Sequence, residues 1–89
     1  MSDAMLAEAD TLLRAALTTF ETRLGPSHPQ VGTTLDRLAG VLMARGRRSE
    51  AIAMEGRAID ILHRTLGDSS ATTIGARRRL AGMRVKPEG

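Results

Sequence analysis

The sequence has no cysteine, no tryptophan and no tyrosine, and Phe20 is its one aromatic residue. Without thiols, disulfides and thiolate metal sites are excluded. A single aromatic ring suits stacking on nucleic-acid bases poorly. A core must then be assembled from Leu, Ile, Met and Ala, which suits closely packed helices. No apolar run approaches the roughly 20 residues that span a bilayer. The opening residues, MSDAMLAEAD, carry neither the basic n-region nor the apolar h-region of a secretory signal, so a cytoplasmic setting without membrane attachment is expected.

What the chain does contain is an ordinary globular mixture, 42% hydrophobic and 26% charged over 89 residues. That length allows one domain, and a single copy of so small a domain is marginally stable. The net charge of +3 is unevenly spread. Asp3, Glu8, Asp10 and Glu21 outnumber Arg14 and Arg23 before residue 31, and bases predominate afterwards. Such polarity suits head-to-tail association or an acidic partner. It also fits a solvated, arginine-rich surface.

Apolar spacing and punctuation predict an all-α chain of four helices over about 3–24, 29–45, 48–66 and 71–84, with a flexible tail over 85–89. In the first helix Leu6, Ala9, Leu13, Ala16, Leu17, Phe20 and Leu24 recur at intervals of three and four. Ser2 or Asp3 can cap it, and Gly25-Pro26 stops it. Pro29 suits the first position of the second helix, whose stripe is Val31, Leu35, Leu38, Ala39 and Leu42. Gly46 ends that helix, and so short a link to the next predicts an antiparallel hairpin. The third helix starts near Ser49 and buries Ala51, Ile52, Met54, Ala58, Ile59, Ile61, Leu62 and Leu66. The fourth follows Ser69 or Ser70 and has a thin stripe of Ile74, Leu80, Ala81 and Met83 among four arginines.

The chain repeats itself. Displaced by 42 residues, segment 8–41 matches 50–83 at ten of 34 positions: Glu8/Glu50, Ala9/Ala51, Ala16/Ala58, Leu24/Leu66, Gly25/Gly67, Ser27/Ser69, Arg37/Arg79, Leu38/Leu80, Ala39/Ala81 and Gly40/Gly82. The matches fall on helix stops and small packing residues, where a helical solenoid needs them.

The phrase LGPSHPQVGTTLDRLAGVLMARGRRSEAIAMEGRAI, from Leu24 to Ile59, resembles the 42-residue tetratricopeptide repeat of the kinesin light chain type. The resemblance implies one TPR-like antiparallel α-hairpin solenoid over 1–84. It would open with the second helix of one repeat, hold one full hairpin and close on the first helix of a third. Five departures stand out. Asp36-Arg37 replaces the family's double Asn, Leu42 and Glu55 replace tyrosines, and Arg77 and Arg84 replace apolar residues.

The same resemblance implies a non-catalytic module that binds proteins or peptides on a concave face lined by the first helix of each repeat. The matching positions are Thr33, Arg37, Gly40 and Ala44, continued by Gly75, Arg79 and Gly82 and then Lys86. Two arginines among small residues could grip a carboxylate in bidentate fashion, so an acidic partner is expected. The bland alternative is a solvated face with Arg37 paired to Asp36 or Asp60. Bare terminal helices predict self-association as a dimer, or docking onto a larger repeat protein. A small basic nucleic-acid binder is the second reading, resting on Arg45-Gly46-Arg47-Arg48 and Arg77-Arg78-Arg79, and a purely structural oligomerisation element the third. His28 reads as a helix cap, and His63 as a surface residue near Asp60. No metal cluster, nucleophile–base pair or phosphate loop is present in the sequence, so no cofactor is expected.

Overall fold

A computed structural model describes residues 2–85. Four helices run in order: α1 (Asp3–Leu24), α2 (Pro29–Ala44), α3 (Arg48–Leu66) and α4 (Ala71–Arg84). The all-α, TPR-like hairpin architecture expected from the sequence is thus present, and the predicted helix ends hold to within a residue. Lys86 and the remainder of the expected tail lie outside the described residues. Val85 is the C-cap of α4.

The helix boundaries follow from their caps. Ser2 Oγ accepts from the Met5 N–H at 3.2 Å, and Ser70 Oγ from Thr72 N–H at 3.3 Å. His28 caps α2 through Nδ1, which accepts from Gln30 N–H at 3.0 Å. The two long-helix stops repeat down to single hydrogen bonds. Gly25 and Gly67 have φ of 93° and 82°, and their N–H groups donate to the carbonyls of Glu21 and His63, each at 3.1 Å. Only glycine enters that region without strain.

The second helix ends at Ala44, one residue before the predicted end at Arg45. Gly46 takes φ 79°, so its N–H meets the Met43 carbonyl while Arg47 N–H reaches back to Leu42, at 3.0 and 2.9 Å. This is the Schellman pattern, and it leaves Arg45 as the cap. α3 starts at Arg48, beside Ser49 as expected, and Arg47 caps it without any side-chain bond.

α2 is the central helix: it packs against α1, α3 and α4. Val31, Leu35, Leu38, Ala39 and Leu42 are fully buried against Leu17 of α1, Ala51, Ala58 and Ile61 of α3 and Met83 of α4. Gly32 brings α2 still closer to α3, since a Cβ there would lie 3.0–3.1 Å from Leu62 and Ile61 side-chain atoms. α1 and α3 meet through side chains. Arg14 donates to Glu50 at 3.1 Å and Arg57 to Glu21 at 2.8 Å. Both rungs join residues 36 apart, so the two helices run parallel, as equivalent members of successive repeats must.

Several packing expectations change. Leu24 and Leu66, at the helix stops, are exposed, as are Ile74 and Ala81. α4 is instead seated by Thr73, Ala76 and Met83, with Leu80 half-buried. Thr73 stands where the preceding repeat has Val31, and its hydroxyl is buried without a partner.

Two stability outcomes follow. Ala51 is fully buried in the core, so Ala51→Leu should overpack the hairpin and lower stability by about 1–3 kcal/mol. Thr73→Val restores the shape without the orphaned hydroxyl and should raise stability by about 1 kcal/mol. Denaturant melts read both, and a destabilised Thr73→Val would contradict the assignment of that hydroxyl as unpartnered.

Candidate functional site

Positions 33, 37, 40 and 44 share one face of α2 because the spacing follows the helical repeat, and 75, 79 and 82 do the same on α4. Arg37, Gly40, Ala44, Arg79 and Gly82 are exposed, and Thr33 and Gly75 are half-buried. α2 and α4 touch directly, so the helices carrying both sets are neighbours. A concavity of about 310 Å³ lies elsewhere, with Asp3 and Arg45 among its lining residues.

The two arginines of this face have different surroundings. Arg79 is already engaged: its Nε donates to Asp36 Oδ1 at 2.7 Å and its Nη2 to Oδ2 at 2.6 Å. This two-bonded fork joins α4 to α2 and is the strong geometry for a guanidinium–carboxylate pair. Gly75 makes room for it, since the Arg79 fork passes 3.3 Å from the place a Cβ would occupy. Arg37, the repeat equivalent of Arg79, makes no ion pair among the described residues. Its expected alternatives are taken: Asp36 holds Arg79, and Asp60 sits 3.3 Å from Arg64.

Behind the fork is a buried acid that the periodicity does not announce. Glu55 of α3 is fully inaccessible, and its Oε1 is 3.7 Å from Arg79 Nε. Neither of its oxygens has a hydrogen-bond donor. Burial, then a hydrogen bond to Asp36 and the Asp36 charge, push its pKa up to about 9, against the opposing pull of Arg79. Protonated, Glu55 is itself the donor and Asp36 the acceptor. The buried Asp36 and Glu55 and the exposed Arg79 therefore form one cluster that ties α2, α3 and α4 together. The sequence signal was available: Glu55 interrupts the stripe of Ala51, Ala58 and Leu62, at the position where the resembled repeat has tyrosine.

A second buried carboxylate ties α1 to the α2–α3 turn. Asp10, 3% exposed, accepts from Arg14 Nε and Arg45 Nη1, both at 2.6 Å. Burial raises its pKa, but the hydrogen bonds from Arg14 and Arg45 outweigh that and hold it below the usual value. Arg77 likewise donates to Asp68 at 2.8 Å, and Asp68 also meets His63 Nδ1 at 2.7 Å. Arg45, Arg77 and Arg79 are thus drawn out of the two basic runs into internal pairs. His63 faces Asp68 and not Asp60. Among the described residues no group of three His, Cys, Asp or Glu is placed to hold a metal ion. None of the four helices is long and apolar enough to cross a membrane.

Comparison with known proteins agrees with this architecture. The sequence model of a family described as "Tetratricopeptide repeat" matches residues 4–81. No curated protein is similar enough to count as a match.

The buried acid makes stability depend on alkaline pH. Glu55 binds its proton more tightly folded than unfolded, so its own contribution to folding is fully present below the ordinary carboxylate range. The advantage is lost progressively as pH rises toward 9. Between about pH 7 and about pH 8.5 the slope attributable to it is at most about 1.4 kcal/mol per pH unit. Glu55→Gln should flatten that slope while keeping the helical circular dichroism spectrum. An unchanged slope in the variant would contradict the assignment.

Proposed function

The chain belongs to the tetratricopeptide repeat family, and from that premise we propose that it is a non-catalytic protein-interaction module of the kinesin light chain type. Its partner is an extended peptide or helix with an acidic side chain, received on the face of Thr33, Arg37, Gly40, Ala44, Gly75, Arg79 and Gly82. The module also self-associates. The family supports the general role, since tetratricopeptide repeats typically serve as scaffolds for protein–protein contacts. One observation carries the finer reading: Arg37 is exposed and unpaired among the described residues, in a setting of small residues that allow a backbone to come close.

The division of labour between the arginines follows from their surroundings. Arg79 borders the face but spends its fork on Asp36, where it fixes the position of α4. Arg37 keeps all its donors for an incoming carboxylate, and a guanidinium serves better than an ammonium because it can bind both oxygens at once. The internal pairing of Arg45, Arg77 and Arg79 weakens the nucleic-acid alternative, because it leaves fewer bases for phosphates.

The test uses a library of fluorescent peptides rich in Asp and Glu, with a charge-neutral library as control. Arg37→Glu should weaken acidic-peptide binding at least about tenfold, the loss of roughly one charge-assisted contact, without moving the melting temperature. Acidic peptides that bind the variant as tightly as the wild type would overturn the assignment. Binding of duplex DNA or RNA that collapses with salt, in the absence of peptide binding, would favour the basic-binder reading.

A further inference from the structure

The outer sides of α1 and α4 repeat the two sides of a contact already made inside the chain. In the central hairpin, α3 covers α2 with Ala51, Ala58 and Ile61, and with Met54 packed at the core's edge. Displaced by one repeat, these positions on α1 are Ala9, Ala16, Thr19 and Leu12. Ala9 and Ala16 are only half-buried there, and Leu12 and the adjoining Met5 are 62% and 55% exposed. The matching side of α2 includes Gly32, Ala39 and Met43, whose equivalents on α4 are Ile74, Ala81 and Val85, all exposed. α1 thus carries an unused copy of the covering face, and α4 an unused copy of the face that is covered.

Charge distinguishes a second copy of the chain from an arbitrary occupant. Positions 5, 8 and 12 share a helix face, so Glu8 lies within the Met5–Leu12 stripe. Glu8 and Asp3 are exposed and make no ion pair among the described residues. On α4, Arg78 and Arg84 flank Ala81 and are equally unpaired among them, and α4 contains no acid. In the internal hairpin the C-terminal end of α2 meets the N-terminal end of α3, where Arg47 N–H donates to the Leu42 carbonyl at 2.9 Å. Leu42 corresponds to Arg84, and Glu50 to Glu8. The repeated geometry therefore brings the C-terminal end of α4, which carries Arg84, to the N-terminal end of α1, which carries Glu8, of the next copy.

We propose that the chain self-associates head to tail, with α1 of one copy packing antiparallel on α4 of another in the manner of its own α2–α3 hairpin. This deepens the self-association in the preceding reading and is independent of the peptide face. The contact joins two different surfaces, so it does not close on itself as a two-fold dimer does. It adds copies in series, each continuing the solenoid, and repulsion between like charges disfavours α1 against α1 and α4 against α4.

The experiment is sedimentation of the full chain from micromolar to millimolar concentration, with one variant blocking each face. Leu12→Arg blocks α1 and Ala81→Arg blocks α4. Both replaced residues are exposed, and far-UV circular dichroism checks their folding, with Met5→Arg and Ile74→Arg as substitutes. The wild-type mass should climb past twice 9.5 kDa without a plateau. Each variant alone should stay a monomer. An equimolar mixture of the two should form a heterodimer and stop there, because one intact α1 meets one intact α4. A wild-type monomer throughout overturns both the proposal and self-association. A wild-type plateau at the dimer, with either variant still dimerising alone, overturns head-to-tail packing while leaving self-association intact.

Discussion

The close approach of α2 and α3 is the constraint on which the remaining structure depends. Two helices come together at the near end of the ordinary 8–10 Å range only when the contact is made by residues with little side chain. Here Gly32 of α2 meets Ile61 and Leu62 of α3, and Ala39 shares the buried core with Ala51, Ala58, Leu35, Leu38 and Leu42. A chain with a single aromatic ring has no bulky wedge to fill a wider gap, so its scarcity of rings and its wealth of alanine serve the same geometry. The Schellman closure at Gly46 then sets the hairpin. α1 and α4 take their positions by a second relation, α1 on α2 and α3 on α4, which repeats on either side of the hairpin.

Apolar burial alone would fix those outer helices loosely, since α4 offers only Thr73, Ala76 and Met83, with help from Leu80. Two buried carboxylates supply the missing direction. Asp10 receives two arginines and fastens α1 to the α2–α3 turn, while Asp36 receives the Arg79 fork and fastens α4 to α2. Buried charge contributes more to specifying an arrangement than to net stability, because desolvation offsets most of the attraction. Glu55 makes the offset visible: within the Asp36–Arg79 pair it is the acid that stays protonated, held neutral by burial and by its neighbour's charge. The surface rungs Arg14–Glu50 and Arg57–Glu21 add little individually, but they hold α1 and α3 in the parallel register of equivalent repeats.

Much of this was legible in the sequence, and the reasons are local. Gly25, Gly46 and Gly67 mark ends because they must take positive φ, and Ser2, His28 and Ser70 mark starts because a side chain must meet an orphaned N–H. Identity at 42-residue spacing identifies equivalent surfaces without any knowledge of contacts. Pairing was less legible. The Leu-Ala-Gly that follows Arg79 also follows Arg37, its counterpart one repeat earlier. The difference lies 43 residues away at Asp36, which holds the Arg79 fork, while Arg37 meets no acid among the described residues. The burial of Glu55 and Asp10 was concealed for the same reason: acids on an apolar stripe look like errors of periodicity until their arginines arrive from other helices. Ile74 and Ala81 misled in the opposite direction, since an apolar residue on a helix declares that it seeks cover but not which neighbour provides it.

α4 shows how one short helix can meet three demands. Residues 73, 76, 80 and 83 form the seated side, 75, 79 and 82 belong to the proposed partner face, and 74, 78, 81 and 85 form the free end. Successive residues are turned by about 100°, so these stripes point in three directions and do not compete. A partner bound along Arg37 and a second copy docked on Ala81 would therefore occupy different surfaces. Serial stacking would then repeat the partner face once per copy, each contributing one unpaired Arg37. Weak contacts to a single acidic segment would become strong ones to a partner that carries several, because each later contact forms at high effective concentration. The modest size of the chain is compatible with that arrangement, since affinity would come from the number of copies and not from the area of any one face.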